Sequence, residues 1–151
     1  MIPNVIRIAQ LIAPWFSIVF LPKKSFNQYL PVSLFASCLV IGMCALAAPF
    51  RWWEVKGGIR FKIFNDLTFI FGPFIVGTLW IFHFTFGNLK RFFIVNLIID
   101  ALFSFPVNYL FQRLNLYKLV KFKPTYIFLS FIGFSFIIYG FQLVNKRAFL
   151  K

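Results

Sequence analysis

The chain has 151 residues, 61% of them hydrophobic and 13% charged, with a mean hydropathy of +0.85. A soluble domain is about 45–50% apolar and roughly 25% charged, so this composition excludes a water-soluble monomer and, equally, a disordered chain. Sixteen Lys and Arg against three acids give a formal charge of +13.

Val5–Leu21 is apolar, yet Asn4, Arg7, Gln10 and Ser17 recur at helical spacing and form a narrow polar stripe. Two readings follow. The segment is an interfacial helix ending at Lys23 and Lys24, which its polar face favours, or a fifth span with the stripe turned into a bundle.

Leu30–Pro49 carries no charge and meets the length of about 20 apolar residues that a transmembrane helix needs. Its two cysteines, Cys38 and Cys44, stand six positions apart. On one helix that is about 9 Å between Cα atoms, beyond disulfide reach. Ala45-Leu46-Ala47 has the form of a signal cleavage site but lies too far along the chain for one.

Arg51-Trp52-Trp53-Glu54 and Gly57-Gly58 read as a connector, with Trp52 and Trp53 as interfacial anchors alongside Lys23 and Lys24. Asn65 and Asp66 stand where a helix N-cap belongs, immediately before the apolar run Leu67–Phe86. That run contains His83 as its one ionisable group. Gly87 to Arg91 is a short connection, so Leu67–Phe86 and Phe92–Phe111 should form an antiparallel hairpin. Thr125–Val144 is a last uncharged span. Continuous apolar runs are not the alternating ten-residue strands of a membrane barrel. The expected fold is all-α: one integral membrane domain over residues 1–151, with spans at 30–49, 67–86, 92–111 and 125–144 plus the 5–21 helix.

The cations cluster between these runs, where loops bordering anionic headgroups are Lys/Arg-rich, and do not form the stripe of a nucleic-acid-binding surface. With four spans the loop cations divide eight to eight and give no orientation. If residues 5–21 also span, Arg7 changes sides and the tally becomes nine to seven, favouring a cytoplasmic N-terminus.

Asn96, Asp100, Ser104, Asn108 and Gln112 put a polar residue at every fourth position of the third span. Each step advances about 40° beyond a full turn, so they form a ribbon winding around one side of the helix. Asp100 lies near the span's centre, where an acid costs about 2.5–3.5 kcal/mol on the insertion scale. A neighbouring donor, water or a proton must offset that cost. Pro106 is expected to free a carbonyl near Leu102 and kink the helix. Folding the hairpin about Leu89 brings Thr78 level with Asp100 and His83 close to Asn96. The expectation is one buried hydrogen-bonded cluster of Thr78, His83, Asn96 and Asp100, continued along the ribbon by Ser104 and Asn108.

Nucleophile–base pairs, phosphate-cradling glycine loops, metal-ligand clusters and cofactor motifs are missing from the sequence. Ser33/Ser37, Cys38/Gly42 and Gly133/Gly140 are small-residue pairs that permit close helix packing. The leading expectation is a non-enzymatic integral membrane protein acting by helix packing or by binding a membrane partner or a second copy. The rival is a small proton- or cation-linked transporter or channel subunit built on the Asp100 ribbon.

The motifs Leu21-Pro22-Lys23-Lys24-Ser25-Phe26, Tyr29-Leu30-Pro31, Trp52-Trp53, Phe64-Asn65-Asp66, Phe71-Gly72-Pro73 and Gly77-Thr78-Leu79-Trp80 span much of the chain. In these it resembles a family of small, uncharacterised multi-pass membrane proteins from spore-forming Gram-positive bacteria. The resemblance implies a multi-pass protein of the bacterial plasma membrane and brings no activity or site residue.

Overall fold

The computed structural model describes residues 1–149; Lys151, one of the C-terminal cations, lies outside them. The first helix, α1 (Ile2–Phe16), runs on through a 3-10 turn at Ser17–Phe20. Leu21 is extended, Pro22 occupies the N-cap, and α2 (Lys23–Phe50) follows. It stops where Arg51 turns left-handed, at φ 51°, while the Arg51 and Trp52 amides donate back to Ala48 and Ala47. Those two bonds satisfy carbonyls that the last helical turn would otherwise leave open.

The next apolar stretch is one helix with a wide turn in its middle: α3 (Ile59–Phe69), a π-helical segment Ile70–Phe74, then α4 (Ile75–Thr85). Gly87 bends the chain, and the Asn88 side chain caps α5 (Leu89–Leu102) by accepting from the Arg91 amide at 3.0 Å. A second π-helical segment, Phe103–Val107, leads into α6 (Asn108–Arg113). The last helix among the described residues is α7 (Pro124–Phe149). Each π segment contains a proline, Pro73 or Pro106. A proline ring cannot donate to the i−4 carbonyl and clashes with it, and the wider turn accommodates that loss. At Pro106 the chain therefore makes a π turn where a simple kink was expected.

Five stretches are thus long and apolar enough to cross a membrane: Ile2–Phe20, Lys23–Phe50, Ile59–Thr85, Leu89–Arg113 and Pro124–Ala148. The only strands among the described residues are two-residue pieces. β1 (Trp53–Glu54) pairs antiparallel with β2 (Lys118–Leu119), clipping the loop after α2 to the loop after α6.

Two apolar clusters fill the bundle. Tyr29, Val32, Leu79, Phe82, Phe92 and Tyr139 pack toward one end, and Val40, Met43, Trp53, Ile70, Ile127 and Phe131 toward the other. The first helix stands outside both, laid along the α3–α4 helix in the same direction. Arg7 meets Asn65, Gln10 meets Thr68, and Ser17 meets Trp80. Gly72 permits this approach, because a Cβ there would stand 2.2 Å from the Gln10 carbonyl oxygen. The polar stripe of α1 faces the bundle, while Val5, Ile8, Ile12 and Phe16 are exposed.

Two sequence expectations are corrected here. Asn65 and Asp66 are not helix caps: they lie inside α3, which Gly58 opens at φ 87° eight residues earlier than the apolar run suggested. Polar residues from Lys62 to Asp66 stay helical because their side chains find partners within the bundle. Trp53 is not a headgroup anchor but 8% exposed core, whereas Trp52 is half-buried and stacks on Phe122 at 4.6 Å. Lys23 and Lys24 are exposed at the start of α2.

Candidate functional site

Polar side chains gather in two places. At the end of the bundle nearest the N-terminus, the Arg7 guanidinium is 3% exposed and donates to Asn4 Oδ1, Asn65 Oδ1 and the Leu116 carbonyl at 2.7–3.1 Å. Asn65 passes a longer bond of 3.4 Å to Asp66. Asp66 also accepts from Lys62 Nζ at 2.8 Å and from the Trp53 indole at 3.1 Å. Above this network lies a cavity of about 60 Å³, lined by Gln10, Cys44, Asp66 and Tyr117 among others. Gln10 Oε1 is buried beside it without a partner among the described residues. That volume admits a few waters, since one needs roughly 10–15 Å³ of such space.

Burial pushes the Tyr117 phenol above its ordinary range, and the Asp66 charge adds to the effect. Its hydroxyl donates to Asn108 Oδ1, and Gln112 Oε1 accepts from the Leu119 amide at 3.1 Å. The C-terminal part of the ribbon therefore secures the loop that carries β2.

The second place is the middle of the bundle. Thr78, Asn96, Asp100 and Ser135 border a cavity of about 180 Å³ between α4, α5 and α7, whose remaining walls are mainly Phe and Ile. The hydrogen-bonded cluster expected from the sequence does not form. Thr78 Oγ1 donates to the Phe74 carbonyl at 2.8 Å, Asn96 Nδ2 to that of Phe92 at 2.8 Å, and Ser135 Oγ to that of Phe131 at 2.9 Å. Each bonds one turn back along its own helix, the nearest acceptor a helical hydroxyl or amide can find. Asp100 Oδ2 is left buried with no partner among the described residues, as is Ser104 Oγ. His83 is elsewhere: its Nδ1 is 2.9 Å from Ser25 Oγ on α2, and its ring meets Trp80 edge-on.

A wall of aromatic rings separates the two cavities. Phe69, Phe103 and Phe131 line both of them, and Phe69 stacks on Phe103 at 4.7 Å. These two rings sit at the entrances to the two π segments, so both irregular turns abut the wall. Single π turns are frequent at functional sites because they re-aim side chains inside an otherwise regular helix.

A third space, a groove of about 230 Å³, lies between α5 and α7 and is bordered by Ile94, Leu97, Ile132 and Phe136. Asn96, Asp100 and Ser135 border it as well as the inner cavity. Asp100 thus stands at the partition between the bundle interior and its outer surface. Sequence reasoning found Asp100 from its isolation in an apolar span. It missed Ser135, one of several hydroxyls in the last span, with nothing local to single it out.

Among the described residues no three His, Cys, Asp or Glu converge. The chain matches no protein-family model, no curated protein and no solved structure.

Proposed function

We propose that the chain is a non-enzymatic, five-span protein of the plasma membrane whose Asp100 binds a proton or small cation in transit through the bundle. The single observation behind this reading is the buried Asp100 oxygen without a partner. An acid kept only to pin helices together would hold donors on a neighbouring helix, and such bonds contribute about 0.6–2 kcal/mol. Asp100 has no such donor among the described residues and borders a cavity, the setting in which intramembrane ionisable groups mark ion or proton pathways.

Membrane insertion is supported by the outer surface. Val5, Ile8, Ile12, Phe16, Val19 and Phe20 are exposed along the first helix alone. Contiguous apolar area on this scale is stable against lipid and not against water. The first helix runs beside the α3–α4 helix from Arg7–Asn65 to Ser17–Trp80, which favours a full span over an interfacial position. Arg7 and Lys62 are buried and paired inside the bundle, so the nine-to-seven count of cations falls to seven against seven and favours neither orientation.

Reconstitution into liposomes with an internal pH-sensitive dye tests the reading. Under an imposed gradient the native protein should carry protons or exchange them for a cation, and Asp100→Asn should abolish the signal with the fold intact. Equal signals from empty liposomes, native protein and variant would return the protein to a packing or partner-binding role.

A further inference from the structure

We infer that the Asp100 cavity holds an organic ammonium ion, a protonated amine with a compact apolar body, which arrives as the neutral base sideways from the bilayer through the α5–α7 groove. This rests on the reading of Asp100 as a cation site and names the class of cation.

The first ground is the balance of donors and acceptors. The Thr78 and Ser135 hydroxyls each have one proton, and both are committed to their own helices. Asn96 commits one of its two N–H groups in the same way. What these residues still offer the cavity is acceptor capacity: the Asp100 carboxylate, the Asn96 carbonyl and hydroxyl lone pairs. One free amide N–H is the only donor among these four residues. A carboxylate or phosphate ligand only accepts, needs donors, and would find almost none. An ammonium needs acceptors, and finds them around a charge of opposite sign.

The second ground is the wall. Phe74, Phe82, Phe92, Phe103 and Phe134 are among its residues. Mg²⁺ asks for near-ideal octahedral oxygen coordination, whereas the oxygens here come from four side chains and the rings that form most of the wall add none. An organic cation needs no such shell: its alkyl or aryl body is stabilised by burial, and aromatic faces attract the positive charge.

The third ground is access. The groove bordered by Ile94, Leu97 and Phe136 is almost wholly apolar and shares Asn96, Asp100 and Ser135 with the inner cavity. These three flanking side chains are exposed on the outer face of the bundle. An amphiphilic amine crosses the lipid to that depth as the neutral base. It meets Asp100 without crossing the polar end network and takes the proton of the Asp100 carboxylic acid, which leaves the ammonium paired with the carboxylate.

Calorimetric titration of the detergent-purified full chain with 2-phenylethylammonium tests this, with 2-phenylethanol, 3-phenylpropionate and NaCl as comparisons. The expected result is saturable binding of the ammonium only, weakened at least tenfold by Asp100→Asn and restored by Asp100→Glu. Leu97→Trp, which narrows the groove, should slow association more than it changes affinity. Equal binding of the alcohol and the ammonium would overturn the proposal, leaving an apolar pocket. If the ammonium fails to bind while Asp100-dependent proton flux persists, the ligand class is wrong and the cation site stands. If both fail, both readings fall.

Discussion

Lys62 and Asp66 form an ion pair of 2.8 Å, one helical turn apart, with 8% and 10% of their side chains exposed. Trp53 completes it from outside the helix, donating to the other Asp66 oxygen and placing its ring 4.6 Å from the Lys62 ammonium. Removing one partner leaves an uncompensated buried charge, which costs about 3–5 kcal/mol. Asp66→Ala should therefore destabilise the protein by that amount in a reversible unfolding titration in mixed micelles. Replacing both with apolar residues of similar size, Lys62→Met with Asp66→Leu, should cost far less than the sum of the single changes. An additive double variant would mean that the pair is not coupled.

The same helix shows how far the sequence could be read and where it stopped. Five apolar runs follow from composition and length, and the structure has five helices there. The start of α3 was not legible, because Lys62, Asn65 and Asp66 look like loop and cap residues until their partners are known. The partner of Asn65 is remote: Arg7 is 58 positions away and also donates to the Leu116 carbonyl, 109 positions from it. Local pattern carries no trace of such pairings. The ribbon from Asn96 to Gln112 was visible as a spacing, but a step of four residues turns about 40° each time. Its members accordingly face different neighbours: Asp100 the cavities, Asn108 the Tyr117 hydroxyl, Gln112 the β2 backbone.

Gly72 separates two kinds of glycine in this bundle. A methyl group there would collide with the backbone of α1 at Gln10 and Leu11, whereas one at Gly77 meets nothing within 4 Å. Backbone atoms cannot step aside as a flexible side chain can. Gly72→Ala should push α1 off the α3–α4 helix, raising hydrogen exchange over residues 2–20 and lowering stability by roughly 1–3 kcal/mol. Gly77→Ala should leave exchange unchanged and stabilise the helix by up to about 1 kcal/mol. Matching behaviour of the two variants would refute a backbone contact at Gly72.

Tyr117 supplies a pH dependence with a definite sign. Its phenol is held above the ordinary value near 10, so the folded state keeps a proton that the unfolded chain releases. The stability this contributes is fully present below about pH 10 and is lost as the pH rises through the higher folded value. Tyr117→Phe deletes the hydroxyl and its bond to Asn108, costing about 1 kcal/mol at neutral pH. The stability difference between native protein and variant, followed from pH 8 to 11, should hold steady and then shrink above about 10. A difference that grew with pH would mean that the phenolate is favoured in the fold.

The stacked pair Phe69 and Phe103 closes the space between the polar end cavity and Asp100, at 4.7 Å between ring centres. Phe103→Ala should join the two cavities at a stability cost of about 3–5 kcal/mol. It should also open a water route from the Asp66 end to the middle of the bundle. Accessibility is read by placing a cysteine at position 100 in a chain with Cys38 and Cys44 replaced by serine. The labelling rate by a membrane-impermeant thiol reagent is then followed from each side in turn. With Phe103 intact, labelling from the N-terminal side should be slow. Without it, the rate from that side should rise at least tenfold, while the rate from the opposite side stays the same. A stacked pair that served only packing would lower stability on truncation and leave both rates where they were. Labelling that rose equally from both sides would indicate a loosened bundle rather than an opened wall. The rate asymmetry therefore measures whether these rings gate access to Asp100.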